Sequence, residues 1–135
     1  MSLELNGRNV LGVQSGPTLT FAGTGNDWQP VEGLNATFEM DQDHMAIDFY
    51  LEASSSIAPG TMSLAVEIDG NVDIRNVVSF APGVTAITEY AGSFFAMAGP
   101  GRHQFRLMMV CTTAATVTFV GRNRGMRCMF MSGSD

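Results

Sequence analysis

Residues able to catalyse a reaction or bind a metal are few in this 135-residue sequence and lie far apart. The only histidines are His44 and His103, whereas a metal site built on β-strands needs two or three histidines and a carboxylate. The segment MDQDH places Asp41 and Asp43 beside His44, but it lacks the other oxygen ligands and the distal glutamate of a calcium loop. We therefore expect a polar hairpin turn at this segment, and we predict no metal ion and no cofactor.

The serines and the glycine-rich loops do not form a catalytic motif. No serine stands in a G-x-S-x-G context, and no predicted helix follows the loops TGND and GPGR to bind phosphate with its N-terminus. His103 follows a Pro-Gly turn, where it would either titrate near neutral pH and tune a contact or pack and hydrogen-bond locally. We favour the second interpretation. We predict that the protein is not an enzyme and has no catalytic residues.

The sequence does not decide whether Cys111 and Cys128 form a disulfide or remain free thiols. They would form a disulfide only if their strands were neighbours, which the spacing does not decide. The N-terminus carries charged residues and no basic region followed by a long apolar block, so we expect no secretory signal. We accordingly expect two reduced, buried thiols that behave as small hydrophobic side chains.

The elements that must position these residues are predicted to be β-strands, because apolar and polar residues alternate with period two. The inward-facing positions of four segments are Ala36, Phe38 and Met40; Met45, Ile47, Phe49 and Leu51; Met62, Leu64, Val66 and Ile68; and Ala115, Val117 and Phe119. Asp69 and Gly70 stand between two alternating runs and predict a tight hairpin.

About eight to ten short strands separated by Gly- and Pro-containing turns predict an all-β fold, an antiparallel β-sandwich or jelly roll. The length fits one domain, residues 1–135. We expect residues 1–8 to form an N-terminal arm and residues 132–135 a flexible tail.

The charges are distributed unevenly, with a net charge of −6. Residues 1–100 contain twelve of the thirteen acidic residues, whereas five of the seven arginines follow residue 101 and lysine is absent. The net charge argues against nucleic acid as a partner, and no apolar run is long enough to span a membrane. Arginine and methionine are enriched at interface cores and lysine is depleted there, so this composition suits a covered surface. Codon usage of a GC-rich genome is the alternative explanation for the missing lysine.

Two predicted strands share an unusual outward face, which combines arginine with methionine. In the strand after Gly101, Phe105 and Leu107 are predicted to point inward and Arg106 and Met108 outward, and in the last strand Arg127 has Met129 on the same face. We interpret these faces as docking surfaces. Trp28, in a loop-like segment, is either an interface anchor, a sugar-stacking platform or a partly buried residue at the sandwich edge. The predicted interface residues are Trp28, Arg102, Arg106, Met108, Arg122, Arg124, Arg127 and Met129.

The C-terminal third resembles jelly-roll proteins of tailed bacteriophages. The run Pro100, Gly101, His103, Phe105 and Leu107 matches a P-G-x-H-x-[FV]-x-[LV] strand, which is followed by a threonine-rich strand and a basic closing strand at residues 115–117 and 127–131. The likeness covers about a quarter of the chain. It implies a non-enzymatic head decoration or cement protein, and no individual functional residue is transferred by it.

This resemblance predicts a structural protein that binds the major capsid protein and stabilises the phage head. It would lie on the capsid exterior of the virion after assembly in the host cytoplasm. We expect a homo-oligomer, with a dimer favoured over a trimer because symmetric self-pairing suits a two-fold position on a capsid. The alternative function is a tail-fibre module that binds a receptor or a carbohydrate. That class usually displays aromatic residues on loops, and Trp28 is the only tryptophan.

Overall fold

The computed structural model describes residues 2–11, 18–23, 26–40 and 44–134, with the backbone alone for residues 2–11, 38, 40, 44, 121–124 and 128–134. The strands are β1 (Ser2–Leu11), β2 (Thr18–Phe21), β3 (Gln29–Met40), β4 (His44–Ser55), β5 (Met62–Ile68), β6 (Asn71–Val72), β7 (Val78–Phe80), β8 (Thr88–Met97), β9 (Gly101–Cys111) and β10 (Ala115–Ser134). The described residues form no helix, and so none that could cross a membrane. The predicted all-β fold is confirmed.

The strands form two antiparallel sheets that pack face to face. The first sheet has the order β1-β10-β4-β8, with β2 also on β10, and the second has the order β3-β9-β5-β6, with β7 also on β5. From β3 onward the long strands alternate between the sheets along the chain. This alternation is the connectivity of a jelly roll, and it confirms the predicted fold class.

The same alternation corrects one prediction. The polar segment after Met40 was expected to be a hairpin turn joining two paired strands, but β3 pairs with β9 and β4 pairs with β10 and β8. The connection between β3 and β4 therefore passes from one sheet to the other. Its residues 41–43 lie outside the described residues.

The core lies between the two sheets and contains the inward faces predicted by the period-two pattern. On β4 the side chains of Met45, Ile47, Phe49 and Leu51 are all buried. The corresponding positions of β5, β9 and β10 are buried too: Met62, Leu64, Val66, Phe105, Leu107, Met109, Ala115, Val117 and Phe119. Each large apolar side chain removed from water in this way stabilises the fold by about 1.5–3 kcal/mol. The side chains of Phe38 and Met40 lie outside the described residues.

The hairpin predicted at Asp69 and Gly70 is present between β5 and β6. Ile68 pairs with Asn71, so the loop has two residues, and their φ angles are 51° and 90°. Two consecutive positive φ angles define the type I′ turn, which matches the twist of the flanking strands. Asp and Gly tolerate this backbone region, and this explains why the pair specifies the turn.

The two ends of the chain lie side by side in the first sheet. β1 pairs with β10 from Ser2 opposite Ser134 to Leu11 opposite Gly125. The described parts of the predicted arm and tail, residues 2–8 and 132–134, are therefore in paired strands. Each segment satisfies backbone hydrogen bonds of the other.

Candidate functional site

The strand directions bring four loops to one end of the sandwich, here called the loop end. Their described residues are 22–23 and 26–28 before β3, 56–61 between β4 and β5, 81–87 before β8, and 112–114 between β9 and β10. Trp28 belongs to the first of these loops and is half-buried. The β5–β6 hairpin and the turn before β9 lie at the opposite end.

Backbone hydrogen bonds fix these loops to one another. The N–H of Ser55 donates to the carbonyl of Thr85 at 3.1 Å, which joins the end of β4 to the loop before β8. The N–H of Thr112 donates to the carbonyl of Thr61 at 3.0 Å, and the N–H of Thr61 donates to Oγ1 of Thr112 at 2.8 Å. Gly60, with φ 70°, packs so closely that an added Cβ would lie 2.5 Å from Thr112 Oγ1. Hydrogen bonds therefore tie residues 56–61 to residues 112–114, and residues 81–87 to the end of β4.

Large apolar side chains project from these fixed loops. Ile57 is 48% exposed, Val84 54% and Ile87 61%, and the Ser55–Thr85 hydrogen bond brings the loops that carry them together. We call these three residues the apolar loop cluster. Exposed apolar side chains on a preordered surface favour protein binding, because little conformational entropy is lost when a partner covers them. The sequence analysis did not predict this cluster. The sequence feature that could have indicated it is an apolar residue beside a Pro-Gly turn.

Arg106 has a partner within the chain. It lies directly opposite Glu67 on β5, and its Nε and Nη2 atoms both approach Glu67 Oε1 at 2.7 Å. The Glu67 side chain is 10% exposed and that of Arg106 36%. This ion pair explains an arginine on the outer face of the second sheet without a second molecule. The predicted interface role of Arg106 stays a prediction.

Met108 differs from expectation. Its side chain was predicted to point outward beside Arg106 as part of a docking surface, but within the single chain it is already only 4% exposed. It lies on the outer face directly opposite Ala65 and Pro30, and the neighbouring Val110 is buried as well. β9 and β5 are inner strands of the sheet, so side chains on both sides flank these positions. Met108 therefore offers little surface to a partner.

The remaining predicted interface residues are spread over both sheets. Arg127 on β10 is exposed and donates from Nη2 to Asp48 Oδ2 at 3.0 Å. A hydrogen bond from Ser93, and then the contact with Arg127, lower the pKa of Asp48. Arg102 is exposed at the start of β9. The side chains of Arg122, Arg124 and Met129 lie outside the described residues.

His103 joins two turns at the end opposite the loop end. Its Nδ1 lies 2.5 Å from Asp69 Oδ2 and its Nε2 3.0 Å from the carbonyl of Gly99. Asp69 also accepts a hydrogen bond from the N–H of Gln104. The hydrogen bond with Asp69 raises the pKa of His103 and lowers that of Asp69. The geometry agrees with the local role that we favoured.

Cys111 is a free, buried thiol, and burial raises its pKa to about 11. A thiol with such a pKa is largely protonated at neutral pH and reacts slowly. The Cys128 side chain lies outside the described residues. Among the described residues there is no group of three or more histidine, cysteine, aspartate or glutamate side chains arranged to hold a metal ion.

No protein-family model matches this chain, and no curated protein matches its sequence. Solved structures do resemble it. A chain in the structure of infectious bursal disease virus, Gx strain, is similar with a TM-score of 0.60 and 11% identity over 97% of this chain. The match covers 33% of that viral chain, so this protein spans about a third of its length.

Two further structures are similar. Eiger TNF from S. frugiperda has a TM-score of 0.51 and 11% identity, over 97% of this chain and 95% of that one. The CBM36-1 domain of a multidomain xylanase from the hindgut metagenome of Trinervitermes trinervoides has a TM-score of 0.42 and 14% identity, over 96% and 99% of the two chains. At 11% identity, the likenesses to the viral chain and to Eiger TNF show the fold alone, a sandwich of jelly-roll type.

Proposed function

We propose that this protein is a non-enzymatic structural protein of a virus particle, a head decoration or cement protein of a tailed bacteriophage that binds the major capsid protein. The observation that carries the proposal is the apolar loop cluster. Ile57, Val84 and Ile87 are exposed on loops that hydrogen bonds hold together. This arrangement suits a permanent contact with another protein, in which buried apolar side chains supply most of the binding energy.

Two further observations support the proposal. The C-terminal third resembles phage head proteins of the jelly-roll type, and the same fold occurs in a chain of a virus structure. Jelly rolls also serve as lectins and enzymes, so the fold alone does not select among these functions. The loop cluster favours protein binding over sugar binding, because its members are aliphatic and sugars stack on aromatic rings.

The proposal is tested by mixing the purified chain with shells assembled from the major capsid protein of the same genome. Co-sedimentation through a sucrose gradient should show saturable binding at a fixed copy number per capsid subunit. Absence of binding at micromolar concentration, with retention on a host-surface glycan instead, would favour the receptor-binding alternative and reject the decoration role.

The loop cluster itself is tested by Ile57→Asp and Val84→Asp. Each change places a charge where we expect a dry contact, and each should weaken shell binding at least about tenfold. Asn71→Asp is the matched control, because it adds the same charge at an exposed position in the β5–β6 hairpin, at the opposite end of the sandwich and away from the predicted interface residues. Equal effects of all three changes would show that net charge, rather than the loop cluster, governs binding.

A further inference from the structure

β8 forms one edge of the first sheet. In the described part of the chain it pairs only with β4, from Ala53 opposite Thr88 to His44 opposite Met97. Alternate backbone N–H and C=O groups of an edge strand point away from its sheet. Natural edge strands are commonly protected by lysine, proline or inward-pointing charges. The ten residues of β8, TEYAGSFFAM, contain one charged residue, Glu89, and no proline.

The outer face of this edge is apolar toward the C-terminal end of β8. Phe95 is 54% exposed and Met97 59%, and they alternate with buried Phe94 and Ala96. A long, apolar edge of this kind is a template for a further strand. We infer that the strand that completes this sheet is β8 of a second copy of the chain, related by a two-fold axis at Ser93.

The side-chain sizes along β8 support a second copy as the partner. Antiparallel partners have side chains on the same face only if both residue numbers are odd or both are even. With the axis at Ser93, Ala91 faces the partner's Phe95, Gly92 faces the partner's Phe94, and Tyr90 faces the partner's Ala96. Each aromatic side chain of β8 thus lies opposite alanine or glycine, on both faces of the sheet.

Most other registers do not have this property. An axis at Phe94 or at Phe95 places that residue opposite its own copy, and an axis at Gly92 places Tyr90 opposite the partner's Phe94. An axis at Ala91 does pair Tyr90 with the partner's Gly92, but it leaves Phe95, Ala96 and Met97 beyond the start of the partner's β8. Gly92 is itself required by packing within the chain, because an added Cβ would lie 2.9 Å from the Phe49 ring and 3.2 Å from Val78 Cγ1. The register centred on Ser93 is therefore the one in which bulky side chains are accommodated.

This inference deepens the proposed function and rests on it only for the identity of the surface that the dimer binds. An antiparallel β8–β8 pair directs the two loop ends in opposite directions along the continuous sheet. The dimer would present one apolar loop cluster at each end. Such a bivalent molecule can bridge two capsid subunits, and bivalence raises the overall affinity without any new contact.

A cysteine placed on the axis tests the register. Ser93→Cys would bring two thiols directly opposite each other, within reach of a disulfide, and mild oxidation should link more than about half of the protein into dimers. Ala91→Cys is the matched control, because residue 91 faces the partner's Phe95 and should link less than about a tenth. Equal linking of both variants, or of neither, would overturn the register.

A charge on the edge tests the contact without cysteines. Phe95→Glu replaces an exposed apolar side chain by a carboxylate diagonal to the partner's Glu89, and it should raise the dimer dissociation constant at least about tenfold in sedimentation equilibrium. Gln104→Glu is the matched control, because it adds the same charge at an exposed position of the other sheet and should leave the constant unchanged. A wild-type chain that sediments as a monomer at about 100 μM, well above typical dimer dissociation constants, would overturn the inference, as would equal dissociation constants of the two variants.

Different experimental results would reject the decoration role and the β8 pairing. A dimer with this register that does not bind shells would reject the decoration role and leave the β8 pairing established. A monomer that binds shells would reject the β8 pairing and leave the decoration role intact. Both measurements use the full chain.

Discussion

Arg106 on β9 and Arg127 on β10 occupy equivalent positions in their strands, each two residues before a methionine. Each forms an ion pair with the acidic residue directly opposite on the neighbouring strand, Arg106 with Glu67 and Arg127 with Asp48. The two pairs differ in exposure. The side chains of Arg106 and Glu67 are 36% and 10% exposed, whereas those of Arg127 and Asp48 are 55% and 37% exposed.

This difference determines what each pair contributes. The Glu67 carboxylate has lost most of its contact with water, and the guanidinium of Arg106 supplies the polar contacts that replace it. Asp48 keeps access to solvent and also accepts a hydrogen bond from Ser93. An exposed pair of this kind is worth about 0–1 kcal/mol, since water screens it. The same sequence pattern thus produces a structural pair in one sheet and a weak surface pair in the other.

The largest effect is expected from Arg106→Ala. The substitution leaves the Glu67 carboxylate largely buried without its partner, and we expect a loss of about 2–3 kcal/mol in the free energy of unfolding. Urea unfolding monitored by circular dichroism measures it. A loss below about 0.5 kcal/mol, the range of an ordinary surface change, would show that Glu67 is better solvated than its 10% exposure indicates. Arg106 alone is therefore not a clean probe of shell binding.

Replacing both Glu67 and Arg106 tests whether the unpaired carboxylate causes the loss of stability in Arg106→Ala. Glu67→Leu with Arg106→Met removes the two charges and keeps apolar volume beside Met108 and Val110, so we expect stability within about 1 kcal/mol of the wild type. The double variant should thus be more stable than Arg106→Ala alone. If it is equally unstable, packing of the arginine stem rather than the unpaired carboxylate accounts for the loss.

A third pair, His103 with Asp69, should make the stability depend on pH near neutrality. The hydrogen bond with Asp69 raises the pKa of His103, so the stabilisation is fully present below the ordinary histidine pKa of about 6.5. It is lost as the pH rises through the raised value. Comparing thermal unfolding of the wild type and His103→Gln at pH 5.5 and pH 8.5 measures this, and the advantage of the wild type should be larger at the lower pH.

The direct control for that titration is Asp69→Asn, since asparagine also tolerates the positive φ of the turn. The pKa of His103, followed by its ring proton resonances, should decrease in this variant. An unchanged pKa would show that the Gly99 carbonyl, not Asp69, sets the protonation of the ring.

The smallest effect is expected from Arg127→Ala, at about 0–1 kcal/mol. It should vanish in about 0.5 M sodium chloride, where the Debye length is only a few ångströms. A loss of unfolding free energy as large as that of Arg106→Ala would contradict the difference between the two ion pairs. It would mean that a second molecule or a part of the chain outside the described residues covers this face.

The candidate site shows where prediction from sequence stops. Glycine and proline marked the loops at Gly60 and Gly83 correctly, yet nothing in the sequence showed that the loops before β5 and before β8 meet through Ser55 and Thr85. The apolar residues on them therefore looked like isolated surface positions. Trp28 was the one residue of the loop end that the sequence analysis predicted to lie in an interface, because tryptophan is enriched among residues that dominate binding.

The sequence by itself determined the local structure of this protein. Alternation with period two placed Met45, Ile47 and Phe49 in the core, and Asp69 with Gly70 specified the two-residue turn, because both depend only on neighbours along the chain. Only the tertiary structure decided that β3 and β4 lie in different sheets, that Met108 is buried, and that Arg106 is paired with a glutamate 39 residues away. These features depend on the order of strands in the two sheets, which pairs residues distant in sequence and which no local pattern encodes.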